Sequence, residues 1–293
     1  NEYDQKIKDF LTQAGASPCG FSIESHSKTT RKLIQDATHL ITGSRTSRER
    51  RFYIKNYSFP KIYGQIKKLK NYKTGHPIRP VVAFYSDPTY HLCGYLADWF
   101  RSMSQFHPQH AVKNSAELAR SLSTHKFPAN SKLISLDVVS MFTRIPVQRA
   151  VSIMLEHLSA CNIPTATIKE FEKLIKHCVK QNICSFRGTT YKFPDGLPMG
   201  GPLSMIVADV FMNHLENEII SGPHSAHIRF WKRYVDDIIC VWNGTDPQAL
   251  ALLETLNDYD PNLQFTLENG GEHLNYLDLS INLTEVNNVL QAS

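Results

Sequence analysis

The sequence predicts an α+β fold whose second half is a ferredoxin-like βαββαβ sheet with helices on one face. Three observations predict it. Residues 132–142, Lys-Leu-Ile-Ser-Leu-Asp-Val-Val-Ser-Met-Phe, read as a strand with an acid, Asp137, at its end. Residues 230–242 hold two runs rich in β-branched and aromatic residues around an Asp-Asp pair, which reads as a tight hairpin. The segments between and after them carry helical spacing, so the order is strand, helices, hairpin, helix, strand. The 293 residues suffice for one large domain or two ordinary ones. A boundary near 130 separates N-terminal helices and a basic hairpin at 44–82 from the sheet-bearing residues 131–293.

Taken in order, residues 2–14 place Tyr3, Ile7, Phe10 and Leu11 on one side of a helix. Pro18-Cys19-Gly20 is a turn, and a second helix is expected near 29–41. Residues 44–79 are strongly basic, with Tyr53, Phe59, Tyr63 and Tyr72 interleaved. Residues 88–106 space Leu92, Tyr95, Leu96, Trp99, Phe100 and Met103 three and four apart, the stripe of a core helix. A short helix at 115–123 leads into the strand. Ile145-Pro146 opens a helix through 158, and Thr167-x-x-Glu170 reads as a capping box for another to about 181. Residues 183–193 form a hairpin turning at Arg187-Gly188. Gly196–Ser204 is a Gly/Pro loop entering a helix at 204–220. Asp246 is expected to cap a helix through 257, with Pro247 in its first turn. Strands follow at 263–268 and 274–283.

Composition narrows the function. Hydrophobic content of 42% with 20% charged residues describes a globular chain. No apolar run approaches the roughly 18 residues of a membrane span, and no signal-peptide pattern opens the chain. Cysteines 19, 93, 161, 178, 184 and 240 form no Cys-x-x-Cys pair, which argues against structural zinc or a disulfide framework and for an intracellular protein. All 32 basic residues fall within the first 233 positions, against 17 of the 27 acids there, a net of +15. Such a body suits a phosphate backbone, although a solvated basic surface has the same composition.

The acids carry the chemistry. An Asp-Asp turn is usually only a turn, and an Asp at a strand end is often only bonded to backbone. Asp137 and the hairpin pair Asp236 and Asp237 differ because adjacent strands would bring Asp137 and Asp236 together. Carboxylates at that range repel unless a cation sits between them. Oxygen ligands point to magnesium or manganese rather than zinc, and two such ions serve in-line phosphoryl transfer. The pairing implies nucleotidyl transfer.

At this point the chain resembles a known family. Arg-Tyr-Val-Asp-Asp (233–237) is similar to motif C of reverse transcriptases, Leu-Asp-Val-Val-Ser-Met-Phe (136–142) to motif A, and Gly-Leu-Pro-Met-Gly-Gly-Pro-Leu-Ser (196–204) to motif B. Pro-Lys-Ile-Tyr (60–63), Arg-Pro-Val-Val (79–82) and Ser-Asp-Pro-Thr-Tyr (86–90) resemble the fingers motifs of Penelope-like retroelements, relatives of telomerase. The resemblance runs from about Phe52 to about Ile281. It implies a right-hand polymerase, with fingers before a palm and an expected thumb missing from the chain.

The resemblance also implies roles. Asp137 and Asp236 hold two Mg²⁺ ions, with Mn²⁺ as a substitute, the Val138 backbone carbonyl completes the set, and Asp237 supports it. Lys61, Arg79 and Gly200 lie near the incoming dNTP, and Phe142 resembles the steric gate against a 2′-hydroxyl. Lys67, Lys68, Lys70, Gly196, Pro198 and Tyr234 face nucleic acid. The family more often has Ser at the position of Gly201. Asn275-Tyr276-Leu277-Asp278-Leu279 resembles the start of the primer grip. No Lys or Arg follows motif C, which leaves His273 as a weak candidate for protonating pyrophosphate.

The implied function is an RNA-directed DNA polymerase of a Penelope-like retroelement, extending a DNA primer on an RNA template with dNTPs, without a membrane, intracellular and acting in the nucleus. A telomerase-type subunit would share every motif. A non-catalytic nucleic-acid-binding remnant would not need all three aspartates, and a nucleotide cyclase would need no basic fingers.

Overall fold

The alternation of Leu133, Ser135 and Asp137 with Ile134, Leu136 and Val138 gives a strand with two unlike faces, and half of the molecule is built on that strand. The computed structural model describes residues 2–66, 78–180, 182–286 and 289–292. By its internal contacts the chain divides into two units, Asn1–Phe106 with Ile145–Ala208, and His107–Arg144 with Asp209–Ser293. This division is discontinuous and does not follow a single boundary near 130.

In the second unit, β1 (Lys132–Val138), β2 (Ile228–Tyr234), β3 (Asp237–Trp242) and β4 (Phe265–Gly271) form a sheet in the order β4-β1-β3-β2. Every neighbour is antiparallel. With helix α1 (Ser204–Ser221), which enters this unit at Asp209, and α2 (Asp246–Asp258), the sequence of elements is the expected βαββαβ. One face of the sheet takes the helices: Trp231 and Arg233 both reach Glu216 of α1. On the other face Leu133, Phe230, Ile239 and Val241 pack against Leu118 and Leu122 of helix Ser115–Ser123. A smaller sheet, ordered His273–Tyr276, Leu279–Val286, Val289–Ala292, Lys126–Phe127, closes that core with Leu274, Ile281 and Leu283.

Local chemistry corrects two expectations in this unit. Thr245, not Asp246, caps α2: its hydroxyl accepts from the Gln248 amide, and the Gln248 side chain accepts from the Thr245 amide. Asp246 instead pairs with Lys132 at the start of β1. The single strand expected at 274–283 breaks at Leu277, whose φ of 55° turns the chain so that Tyr276 pairs with Leu279.

The first unit holds a five-stranded sheet ordered Ser17–Pro18, Thr189–Lys192, Ile183–Phe186, Lys61–Ile66, Ile78–Ala83. Arg187 (φ 49°) and Gly188 (φ 82°) make the tight turn expected at 187–188. Helix Tyr90–Ser104 buries Leu92, Leu96 and Phe100, and Phe171 of helix Thr165–Lys180 stacks on Phe100 with ring centroids 6.0 Å apart. Among the described residues no helix is long and apolar enough to cross a membrane.

Three expectations change here as well. The helix placed at 29–41 is Ile23–Asp36, started by Ser22, whose hydroxyl accepts from the Ser25 amide. Glu170 does not serve a capping box: its carboxylate accepts from the amides of Thr38, His39 and Leu40 at 2.8–2.9 Å, so it anchors the loop that follows that helix. Within the expected basic hairpin, Arg45–Phe52 is a helix, because Arg48 donates to the Ala37 carbonyl and Arg51 lies 4.7 Å from the centre of the Tyr95 ring.

Two features of this unit set measurable stabilities. His177 accepts or donates a 2.8 Å hydrogen bond with Thr30, and its ring lies 5.1 Å from that of His26. Burial, reinforced by His26, lowers its pKa to about 4. The unfolded histidine titrates near its ordinary 6.5, so between these values the unfolded chain binds a proton that the folded one refuses. Stability present above pH 6.5 is therefore lost as the pH falls toward 4, by on the order of 3 kcal/mol. Urea midpoints at pH 7 and pH 4.5 should fall less in His177→Gln than in the parent; equal falls would refute the assignment. Gly200 has φ 76°, and a Cβ built on it would stand 2.3 Å from the Val82 carbonyl oxygen. Gly200→Ala should cost about 2–4 kcal/mol in chemical denaturation, combining the left-handed strain with the backbone clash; a loss under about 0.5 kcal/mol would contradict this.

Candidate catalytic carboxylate site

The pair Tyr234–Asp237 closes the β2–β3 hairpin, leaving Val235 and Asp236 as a two-residue loop. Val235 has φ 57°, while Asp236 is not among the residues with positive φ, which is the pattern of a type II′ turn. Glycine is the usual occupant of that first position. A β-branched residue there is strained by roughly 1–3 kcal/mol and persists only where its surroundings over-determine it.

The surroundings do so through three consecutive carbonyls. Arg233 Nη1 donates to the Val235 oxygen at 2.9 Å. The Val138 amide donates to the Asp236 oxygen at 3.1 Å. The Tyr276 hydroxyl donates to the Asp237 oxygen at 2.6 Å. Burial, with Asp237 beside it, raises the Tyr276 pKa, so the phenol keeps the proton it donates.

Asp137 stands directly opposite Asp237 in the β1–β3 register. Directly opposed residues share a face of the sheet, with Cα atoms about 4.5–5.5 Å apart. Asp236 follows Val235 in the turn beside them and is tied by its carbonyl to the residue after Asp137. Asp137 is exposed, and Asp236 and Asp237 are half-buried. The structure therefore brings all three aspartates to one end of the sheet, with Asp237 rather than Asp236 as the cross-strand partner of Asp137. Among the described residues no group of three or more His, Cys, Asp or Glu side chains is gathered as a ready-made metal cage. The donor chemistry still fits a hard divalent ion such as Mg²⁺, which takes one or two protein carboxylates and completes its shell with water and phosphate oxygens.

The other candidate residues divide between the units. Val138 is buried next to Asp137, Phe142 is half-buried in helix Met141–Arg144, and Tyr234 is half-buried against the core under the sheet. His273 bonds Asn282 on the smaller sheet. In the first unit, Lys61 pairs with Ala83 and Arg79 with Gln65 across one hairpin, and both side chains are exposed. That places them on the same face about 13 Å apart along the strands. Gly200 is exposed, whereas Gly196 and Pro198 are buried, and the amide of Asn182 donates to the Gly196 carbonyl at 3.1 Å. At Gly201 a Cβ would stand 3.0 Å from the Ser204 hydroxyl, which donates to the Pro198 carbonyl at 2.6 Å, so serine at 201 would crowd the loop's own brace. Lys67, Lys68 and Lys70 lie outside the described residues.

Sequence reasoning missed the support behind the turn. Arg233 is fully buried; its Nε donates to Glu216 at 2.9 Å and its Nη1 also reaches Asp209 at 3.2 Å. Burial opposes the Arg233 charge, but Glu216 and Asp209 hold its pKa above the ordinary value. The available signal was the spacing of Glu216, four residues after Met212 and three before Ile219, which sets an acid on an apolar stripe of α1.

Comparison with known proteins fits this geometry. The telomerase of Candida tropicalis, in an apo structure truncated from its C-terminal domain, matches 91% of this chain at 13% identity with a TM-score of 0.51. The telomerase of Candida albicans, in complex with a TWJ fragment of telomeric RNA, matches 91% at 12% identity with a TM-score of 0.55. The BmCPV RNA-dependent RNA polymerase in its quiescent state matches 89% at 12% identity with a TM-score of 0.53. At these identities the likeness is one of fold, and the fold is the α+β polymerase architecture. The chain spans 62% and 52% of the two telomerase chains and 26% of the viral one. No curated protein matches it significantly. The family described as reverse transcriptase (RNA-dependent DNA polymerase) matches residues 91–269, from helix Tyr90–Ser104 into β4. That span is more than half of the chain and takes in all three aspartates: the chain belongs to the reverse transcriptase family.

Proposed function

We propose that the chain is the catalytic portion of an RNA-directed DNA polymerase of a Penelope-like retroelement, adding dNTPs to a DNA 3′-hydroxyl on an RNA template. The observation that carries this reading is the convergence of Asp137, Asp236 and Asp237 at one end of the β4-β1-β3-β2 sheet. The fingers-like segments around Lys61, Arg79 and Ser86–Tyr90 support the Penelope-like assignment over other members of the family. On this reading the second unit is the palm and the first contributes the fingers.

Asp137 and Asp236 bind two divalent ions, Mg²⁺ or Mn²⁺, with Asp237 opposite Asp137 sharing the load of charge and the Val138 carbonyl nearby. When bound, such ions lower the pKa of the attacking hydroxyl and neutralise the leaving pyrophosphate. Phe142 excludes a 2′-hydroxyl, Lys61, Arg79 and Gly200 receive the triphosphate, and Tyr234 supports the primer end. The template is read by base pairing, while the protein senses the 2′-hydroxyls of the RNA strand. A telomerase-type subunit is a second reading, favoured by the telomerase neighbours; it predicts repeat synthesis on one bound RNA rather than copying of any supplied template.

Incubated with a labelled DNA primer on an RNA template, dNTPs and Mg²⁺, the parent protein should extend the primer. Asp236→Asn should lower the rate by about a thousandfold or more. Folded parent protein that binds the duplex but extends nothing with either metal would replace the polymerase reading with that of a nucleic-acid-binding remnant. In the same assay Phe142→Ala should raise rNTP use relative to dNTP by about a hundredfold; an unchanged ratio would remove Phe142 from the sugar site.

A further inference from the structure

Arg233 and Glu216 are both wholly buried on the helix-covered face of the central sheet. Burial of two charges is seldom a source of stability, since apolar side chains of similar volume fill such a space as well or better. The arrangement is also incompletely satisfied: among the described residues, neither Arg233 Nη2 nor Glu216 Oε2 has a hydrogen-bond partner. Stability alone therefore does not account for the pair. Its geometry does something that an apolar pair cannot. Glu216 takes Arg233 Nε at 2.9 Å and so fixes the plane of the guanidinium. The Trp231 indole, donating to the same oxygen at 3.2 Å, fixes Glu216 in turn. The remaining edge of the fork is then aimed at the Val235 carbonyl, 2.9 Å from Nη1. Val235 is the residue held at φ 57°, immediately before Asp236.

We propose that Arg233, oriented by Glu216, is a positioning residue that holds the strained Val235 turn and thereby sets where Asp236 is presented. The proposal rests on the polymerase reading for its catalytic consequence but not for its structural one. Released from Arg233, Val235 relaxes toward the negative φ that a β-branched residue prefers. The Asp236 carbonyl then leaves the Val138 amide that it accepts from at 3.1 Å. Lysine cannot replace the fork, because one ammonium on a flexible stem does not hold Glu216 and the Val235 carbonyl in a fixed plane.

The test compares the parent with Arg233→Met/Glu216→Gln, which removes both buried charges together and leaves an acceptor for Trp231, and with Arg233→Lys. Hydrogen exchange on the metal-free proteins is the first readout. The Val138 amide should exchange about tenfold faster in both variants, while strand amides farther from the turn, such as that of Ile239, keep their protection. Primer extension is the second: kcat should fall by about a hundredfold with the dNTP KM within about twofold, the signature of a displaced catalytic group. Unchanged exchange at Val138 overturns the proposal. So does equal acceleration across the sheet, which would make the pair a stabilising element only, and so does a parental kcat in a variant whose turn has loosened. If the parent itself extends no primer, the polymerase reading fails, and the exchange experiment still decides this one.

Discussion

Two carboxylates set directly across an antiparallel pair repel, and no isolated hairpin would choose that arrangement. The register of β1 on β3 imposes it. Leu133 faces Val241 and Leu136 faces Ile238, so both faces of the pair are already committed to apolar layers before the acids are reached. A slip by one residue would send every side chain of β1 to the wrong face. The hydrophobic alternation thus supplies the free energy that holds Asp137 against Asp237, and everything at the site depends on that register. Carboxylates opposed in this way favour a cation between them.

Around this constraint the structure adds supports from three directions. Arg233 comes from the same hairpin, Val138 from the neighbouring strand, and Tyr276 from the smaller sheet. Each takes one carbonyl of the turn. These bonds engage carbonyl oxygens and not carboxylates, so what they hold is the backbone of the turn. Strain at Val235 is affordable only because the backbone around it has nowhere else to go.

Much of the fold was legible because it follows from local patterns. The strand that carries Asp137, the Arg187-Gly188 turn and the short helix at 115–123 each report themselves in sequence. The three aspartates were legible for a related reason: acids at strand ends among apolar runs are anomalies that ask for an account. What escaped is what depends on distant partners. Glu170 looks like a capping residue until the amides of 38–40, about 130 positions away in sequence, are seen to claim it. The basic stretch looks like a uniform nucleic-acid surface, yet Arg48 serves the Ala37 carbonyl and Arg51 lies over Tyr95. Arg233 read only as part of a motif; its burial against Glu216 on a helix could not be seen from the spacing.

The order of strands also governs how the protein is made. β1 lies in the middle of its sheet, flanked by β3 and β4, and both of these are encoded roughly a hundred residues or more downstream. During synthesis at about 5–20 residues per second, β1 spends many seconds with both hydrogen-bonding edges unpaired. Such non-local pairing is slow, and an apolar strand left waiting is a template for aggregation. Asp137 lies within that strand, one residue from its end. Before it has any partner to oppose, its charge is the kind of feature that discourages a second nascent chain from adding to the edge. The residue that faces Asp237 in the finished sheet thus also guards a central strand that waits long for both of its neighbours.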